Sequence, residues 1–348
     1  MWGLMTHPVH ARFQAIEWKD DAVVLLDQTK LPGREELWVC RSHVQLIEAI
    51  QILAVRGAPA LGIAGAYGTV LVAAEAAKGN KSRCWFDEAC DRLANARPTA
   101  VNLKWGVAEA RKVLDASEEI KGSAVERLLV RAKEIHEEDK RANAAMADFG
   151  APLLRGSIMT VCNTGDLCTG GGGTAFGVIR EAFLRGTVDH VYPLETRPLM
   201  QGLRLTAWEL EGQNIPYTLI CDNMAATVMR NRNIGGVIAG ADRIAANGDF
   251  ANKIGTYMLA VLAHYHKIPF YVAAPTSSFD LVLKDGGGIE VEERSASEIM
   301  AALGSNQPAK PFHVFNPAFD VTPKELVTAI ICEKGVIKSP NRDKILSV

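Results

Sequence analysis

The sequence predicts an α/β protein in two parts: a mainly helical first part with a small β-sheet, then a parallel sheet flanked by helices. Three observations lead there. From about Ser42 to Gly150 apolar residues recur at three- and four-residue spacing, the period of helices with one buried face. From about Gly156 short apolar runs rich in β-branched and aromatic residues alternate with helical segments, the pattern of strand–helix–strand units. The chain has 348 residues, 48% of them hydrophobic and 22% charged, a globular balance able to fill a sizeable core.

Taken in order, Ala22 to Val39 (AVVLLDQTKLPGREELWV) places apolar runs on either side of a Pro-Gly turn and predicts a small strand pair. SHVQLIEAIQILAVRG and VERLLVRAKEIHEEDKRANAAMADFG follow with helical periodicity. Between them GIAGAYGTVLVAAEAA is rich in small residues that let helices pack closely. In the second part SIMTVCN, HVYPLE, PYTLICD, GGVIAGAD and PFYVAAP are the expected strands. TAFGVIREAFLRG, GLRLTAWELEG, NMAATVMRN and NKIGTYMLAVLAHYHK are the expected helices, and Gly286 to Gly288 marks a mobile loop. Parallel sheets bind ligands beyond the C-terminal ends of their strands. Cys162, Asn163, Glu195, Asp222, Asn223 and Asp242 all fall at such ends.

Composition excludes several classes. A formal net charge of −2 with interleaved signs lacks the basic stripe of a nucleic-acid binder. The first residues, MWGLMTHPVHARFQAIEW, lack a signal-peptide pattern, and no uninterrupted apolar run approaches a bilayer span. Seven scattered cysteines (Cys40, Cys84, Cys90, Cys162, Cys168, Cys221, Cys332) fit reduced thiols in a cytoplasm better than a disulfide framework. The expectation is a soluble cytoplasmic protein.

The stretch MTVCNTGDLCTGGGGTAFG, Met159 to Gly177, is the densest in chemistry. Cys162 and Cys168 lack the second close pair of a structural zinc site and the C-x-x-C spacing of a redox pair; Cys168 reads as a buried inert thiol. The four glycines match neither a P-loop nor a dinucleotide fingerprint. Two readings stand: backbone N–H groups turned toward an anion at a helix start, or a flexible turn in which Thr174 caps the helix. An anion-binding loop would favour the thiolate of Cys162; otherwise that cysteine is core. Asp242, preceded by small and apolar residues in GVIAGAD, is either an acid in the chemistry or a cap or partner of Arg243. Glu195, Arg197, Gln201 and Arg204 cluster at a strand-to-helix junction, and Asn252 and Lys253 stand at the expected start of a helix. Arg56 in RGAPALG and Arg97 in RPTAVNLKWG sit beside rigid turns, suited to phosphate or to a carboxylate.

Together LLDQTKLP, RGAPALGIAGAYG, RPTAVNLKWG, VCNTG with GTAFGVIREA, ETRPLMQGLRLTAWEL, ICDNMAATVM, GADRIAANGDFANKIGTY, PFYVAAPTSSFD and IEVEERS resemble the methylthioribose-1-phosphate isomerases, from Leu25 to about Asp320. That superfamily also holds ribose-1,5-bisphosphate isomerases and regulatory subunits of a translation-initiation exchange factor. The resemblance implies a helical N-terminal domain with a small sheet (1–150), a Rossmann-like catalytic domain (151–348), and a homodimer. It implies Cys162 and Asp242 as catalytic residues, and Arg56, Gly57, Ala58, Arg97, Gln201, Asn252 and Lys253 as substrate-binding ones, with no metal or organic cofactor. The family pattern is Cys-Asn-Ala-Gly with an alanine-rich run; here Thr164, Cys168 and Gly170 to Gly173 depart from it.

The implied reaction is the aldose-to-ketose shift of 5-methylthioribose 1-phosphate. Its C1 phosphate blocks opening to a free aldehyde, so an acid, assigned to Asp242, protonates the ring oxygen. Hydrogen then moves from C2 to C1, by proton abstraction through Cys162 or by hydride shift. The alternatives are isomerases of 5-deoxyribose 1-phosphate or ribose 1,5-bisphosphate, or a non-catalytic regulatory subunit.

Overall fold

A computed structural model describes residues 14–97, 100–115, 119–308, 310 and 312–348; the start of the chain read above for a signal peptide, and Pro98 and Thr99 of RPTAVNLKWG, lie outside the described residues. The chain divides into two units. One comprises the described residues up to Arg141 together with Gly165–Gly173; the other comprises Ala142–Thr164 and Thr174–Val348.

In the first unit β1 (Ile16–Lys19), β2 (Ala22–Leu26) and β3 (Leu37–Cys40) form an antiparallel sheet. The expected strand pair therefore gains a third member, because Ile16 to Lys19 turns back through Asp20 and Asp21, both left-handed. Helices α1 (His43–Gln51), α2 (Ala58–Lys78), α3 (Arg83–Ala94) and α4 (Val101–Arg111) follow, and α5 (Gly122–Gly150) continues into the second unit. Ser42 opens α1 with a capping box to Gln45. Small residues bring α2 and α4 into close contact: a Cβ on Gly106 would stand 1.9 Å from the carbonyl oxygen of Gly62. The expectation of no membrane-length apolar segment needs correcting. α2 is long and apolar enough to cross a bilayer, but 83% of its most apolar window is buried, so its apolarity serves this unit's core.

The second unit is built on a six-stranded sheet. In chain order its strands are β4 (Gly156–Thr160), β5 (Val188–Pro193), β6 (Ile234–Ala239), β9 (Phe270–Ala273), β12 (Ala329–Cys332) and β13 (Gly335–Lys338). In space the order is β13-β12-β9-β6-β4-β5, parallel except for β13. A smaller sheet, ordered β10-β7-β8-β11, uses β7 (Arg243–Ala245), β8 (Phe250–Lys253), β10 (Phe279–Asp280) and β11 (Phe319–Thr322). Two cores result from strand alternation. Met159, Val237 and Ile330 pack with Leu259 and Met229, from α9 (Thr256–Tyr265) and α8 (Ala225–Asn231). Their neighbours Ile158, Ile238 and Ile331 pack with Ile179 and Leu210, from α6 (Ala175–Leu184) and α7 (Ala207–Gly212). This is the Rossmann-like, two-faced parallel sheet that the sequence predicts.

Two expectations fail locally. PYTLICD forms only isolated bridges, Tyr217 to Val191 and Ile220 to Leu194, since it runs along the edge of β5 without a continuous ladder. Asn252 and Lys253 end strand β8, antiparallel to β11, and Gly255 (φ 100°) turns the chain before α9 begins. The Gly286 loop is tied down: its N–H donates to Asp249 Oδ2 at 3.0 Å. The chain goes from β4 to β5 on one side and later to β6 on the other, so the strand order reverses at β4. That is the switch point where such sheets open a crevice, and Cys162 lies two residues beyond it.

Candidate active site

Cys162 leaves the sheet in a left-handed conformation, φ 68°, which costs a non-glycine residue about 1–2 kcal/mol. Both of its main-chain polar groups are held by hydroxyls. Its N–H donates to Thr196 Oγ1 at 2.9 Å, and its carbonyl accepts from Thr206 Oγ1 at 2.6 Å. The Gln201 side-chain amide donates to Sγ at 3.5 Å, while Gln201 Oε1, fully buried, has no hydrogen-bond partner among the described residues. Gln201 precedes and Thr206 ends one π-helical turn, Gly202–Thr206, a departure from α-helix common at functional sites. Asn163, also buried, donates to Glu209 and to Thr206 Oγ1, and its Oδ1 has no partner.

Asp242 opens the β7–β8 hairpin, its N–H donating to Ala251 O at 2.9 Å. The neighbouring Arg243 is paired with Asp280 at 2.6 Å. Asn252 donates to Thr256 Oγ1 at 2.9 Å. Buried Lys253 donates to Ala318 O at 2.8 Å and stands 4.4 Å from the Phe319 ring centroid. Opposite Asn252 on β11, Asp320 accepts from the N–H groups of Gly255 and Tyr257 and so caps α9. Burial outweighs those bonds and the nearby Lys253, and pushes the Asp320 carboxyl up to about 6.

In the other unit, Arg56, Gly57 and Ala58 form the N-terminus of α2. Among the described residues no side chain caps that end, and no acidic residue lies in its first turn. Gly57 is required there: φ is 95°, and a Cβ would stand 2.3 Å from Cβ of Cys168. Arg97 follows α3 and is half-buried.

The glycine loop overturns the anion-cradle reading. Gly170 donates its N–H to Asp139 Oδ2 at 2.7 Å, Gly171 and Gly173 donate to Thr169 Oγ1 at 3.2 Å, and Gly172 donates to Asp166 Oδ1. The positive ends of those peptides are already answered, two of them by carboxylates, which also repel an anion. The alternative cap fails as well. Thr174 makes no capping bond, and the Phe176 N–H goes to Thr164 Oγ1 at 3.1 Å. Cys168 is buried, as its sequence context predicts.

The structure therefore brings Cys162 and Gln201 together, sets Asp242, Asn252 and Lys253 on one hairpin, and sets Arg56, Gly57 and Ala58 on one helix end. Sequence reasoning missed Thr196, Thr206 and Glu209. Thr206 and Glu209 lie five and eight residues after Gln201 in the polar-rich stretch ETRPLMQGLRLTAWEL, the one signal that could have found them.

A parallel-sheet α/β protein with a thiol at the sheet's switch point and polar groups at adjoining strand ends has the anatomy of a small-molecule enzyme. The chain belongs to the initiation factor 2 subunit family, whose model matches residues 54–339. A relative from Caldicellulosiruptor saccharolyticus, named methylthioribose-1-phosphate isomerase, is 48% identical over 332 residues, covering 94% of this chain and 97% of its own. The crystal structure of 5-methylthioribose 1-phosphate isomerase from Pyrococcus horikoshii matches with a TM-score of 0.89 and 41% identity, covering 96% of this chain and 95% of that one. That of translation initiation factor eIF-2B, subunit delta, from A. fulgidus matches with a TM-score of 0.82 and 43% identity, covering 97% of this chain and all of that one.

Proposed function

We propose that the chain is an aldose–ketose isomerase that converts 5-methylthioribose 1-phosphate into 5-methylthioribulose 1-phosphate in methionine salvage, a branch of methionine biosynthesis. The observation that carries this reading is the near-full-length likeness to relatives bearing that enzyme's name. The site supports it with one thiol, held by a donor on its sulfur, and carboxyl, amide and ammonium groups on the adjoining hairpin.

Asp242 is the proposed acid for the ring oxygen. To act in this way it must carry its proton when the sugar is bound. Cys162 is proposed at the C1–C2 hydrogen transfer. Protonation of the ring oxygen by Asp242 breaks its bond to C1 and leaves C1 electron-deficient. If Cys162 then takes the C2 proton as the thiolate, the C2–H electron pair forms the C1–C2 double bond of an enol phosphate. Return of that proton to C1, with the C2 hydroxyl proton passing to the Asp242 carboxylate, completes the ketose. A hydride shift would instead pass C2–H with its electron pair directly to the electron-deficient C1 beside the sulfur, the C2 hydroxyl proton again passing to the Asp242 carboxylate. Gln201 Oε1, buried without a donor, is suited to accept from a sugar hydroxyl. Asn252 and Lys253 bind the sugar and phosphate oxygens, and Arg56, Gly57, Ala58 and Arg97 bind phosphate. Backbone N–H groups and a fixed arginine at an uncapped helix start are the usual means of doing so.

A homodimer in the cytosol completes the proposal. α9 turns Tyr257, Val261 and Tyr265 outward at four-residue spacing, an apolar stripe that a second copy can cover, and all seven cysteines are free.

The test is turnover of 5-methylthioribose 1-phosphate, 5-deoxyribose 1-phosphate and ribose 1,5-bisphosphate, each alone, by the wild type and by Cys162→Ser and Asp242→Asn. The methylthio sugar is expected to turn over fastest, and each variant to lose about 10²–10⁴-fold in kcat. Faster turnover of another sugar moves the substrate and keeps the chemistry. No turnover of any sugar favours a regulatory role, the reading that the likeness to the eIF-2B subunit supports.

A further inference from the structure

We propose that Thr206 and Thr196 are positioning residues for Cys162, a pair of buried hydroxyls that fix the strained turn carrying the thiol; this rests on the reading of Cys162 as catalytic. Both threonines are fully buried, and their proton directions are determined by their partners. Thr196 Oγ1 donates to Leu194 O at 3.0 Å, so a lone pair remains to accept the Cys162 N–H. Thr206 Oγ1 donates to the Cys162 carbonyl and accepts from Asn163, whose amide is oriented by Glu209. Two short polar chains thus run through the two ends of one residue.

The arrangement is also strained on both sides. Cys162 has φ 68° and Thr196 has φ 63°, the latter an outlier for a β-branched residue. Such conformations persist where the surroundings over-determine them. Here Asp222 does so for Thr196, accepting from its N–H at 2.8 Å and from the N–H of Arg197 at 2.7 Å. Without the hydroxyls, Cys162 has no side-chain bond at its N–H or carbonyl to oppose relaxation toward an extended conformation, which would swing Sγ away from Gln201. The thiol would remain present but displaced, and displacement on the order of 1 Å can cost about 10²-fold in rate.

The experiment compares Thr206→Val, which keeps the shape and removes the hydroxyl, with Thr206→Ser, which keeps the hydroxyl. Each is assayed for kcat and KM, and for alkylation of Cys162 by iodoacetamide across pH, read on the Cys162 peptide by mass spectrometry. The expected result for Thr206→Val is a fall in kcat of about 10–100-fold, with KM within about threefold and an altered Cys162 alkylation profile. Thr206→Ser is expected to restore both. Wild-type kcat in Thr206→Val, or equal impairment of the Val and Ser variants, overturns the proposal. Should Thr206→Val fail to fold, the Thr196 half of the clamp decides, read in the unaltered protein by amide hydrogen exchange of the Cys162 N–H that Thr196 Oγ1 accepts. A protected Cys162 N–H supports the clamp and a freely exchanging one overturns it. Full turnover by Cys162→Ser would instead remove the catalytic reading, and the alkylation profile would still report whether the hydroxyls hold the turn.

Discussion

Two stretches of the N-terminal unit offer backbone N–H groups near glycine, and in one of them no side chain among the described residues takes those groups. At Arg56 to Ala58 the first turn of α2 has no side-chain cap and no acidic residue, and an arginine precedes it. At Gly170 to Gly173 every glycine N–H donates to Asp139, Thr169 or Asp166. The difference teaches that glycine content makes N–H groups accessible to an anion only when the protein supplies no acceptor of its own. Glycine removes the Cβ; it does not decide which oxygen arrives. The loop's interior bonds give it a structural role, since Cys168, at its start, fills the space left by the absent side chain of Gly57.

The largest effect that could break this comparison is at the open end. Arg56→Met is expected to raise KM for the sugar phosphate about 10–100-fold, the loss of a charge-assisted phosphate contact, while kcat stays within about threefold. Inorganic phosphate should weaken as a competitive inhibitor in parallel. An unchanged inhibition constant would remove phosphate from the α2 N-terminus.

The next effect tests the closed loop. Asp166→Ala leaves the Gly172 N–H without its acceptor and is expected to destabilise the protein by about 1–3 kcal/mol, measured by denaturant unfolding. Phosphate inhibition should stay within about twofold. Tighter phosphate binding in this variant would mean that the glycine N–H groups form an anion cradle once released.

The contrast also shows what the sequence could carry. β4, β5, β6 and β9 were legible because each is a short apolar run between helical segments, and the alternation of Ile158 with Met159 or Val237 with Ile238 follows from strand geometry. Motif resemblance singled out Cys162, Asp242 and Gln201, and the structure brings Cys162 and Gln201 together. The fate of the glycine loop was not, because Asp139 reaches Gly170 from 31 residues earlier, and no local spacing encodes a long-range acceptor. β8 was mistaken for a helix start because its four residues, all buried, show no alternation. Thr206 stayed hidden because its contact with Cys162 depends on the π-helical turn, a one-residue irregularity that periodicity does not resolve.

The smallest effect concerns pH and again separates the two stretches. His136 is buried, with Nε2 at 2.8 Å from Gly170 O and Nδ1 at 2.9 Å from the Tyr67 hydroxyl. Burial holds its pKa below the ordinary value, with Lys140 adding to the effect and the Gly170 bond and Glu137 opposing it. The neutral ring suits both contacts, Nε2–H donating to Gly170 and Nδ1 accepting from Tyr67. In the unfolded chain His136 takes up a proton near pH 6.5, whereas in the folded chain it does so only at lower pH. Between those two values unfolding binds a proton, so stability is full above about 6.5 and falls as pH drops toward the folded pKa. Denaturant unfolding of the wild type and of His136→Gln from pH 8 to 5 isolates this contribution as the difference between the two curves. The wild type should lose its advantage below about 6.5, with no accompanying change in phosphate inhibition beyond phosphate's own titration. A wild-type advantage that grows on acidification would mean that the histidine binds the loop as the cation, and the glycine loop would then carry a positive charge beside its two carboxylates.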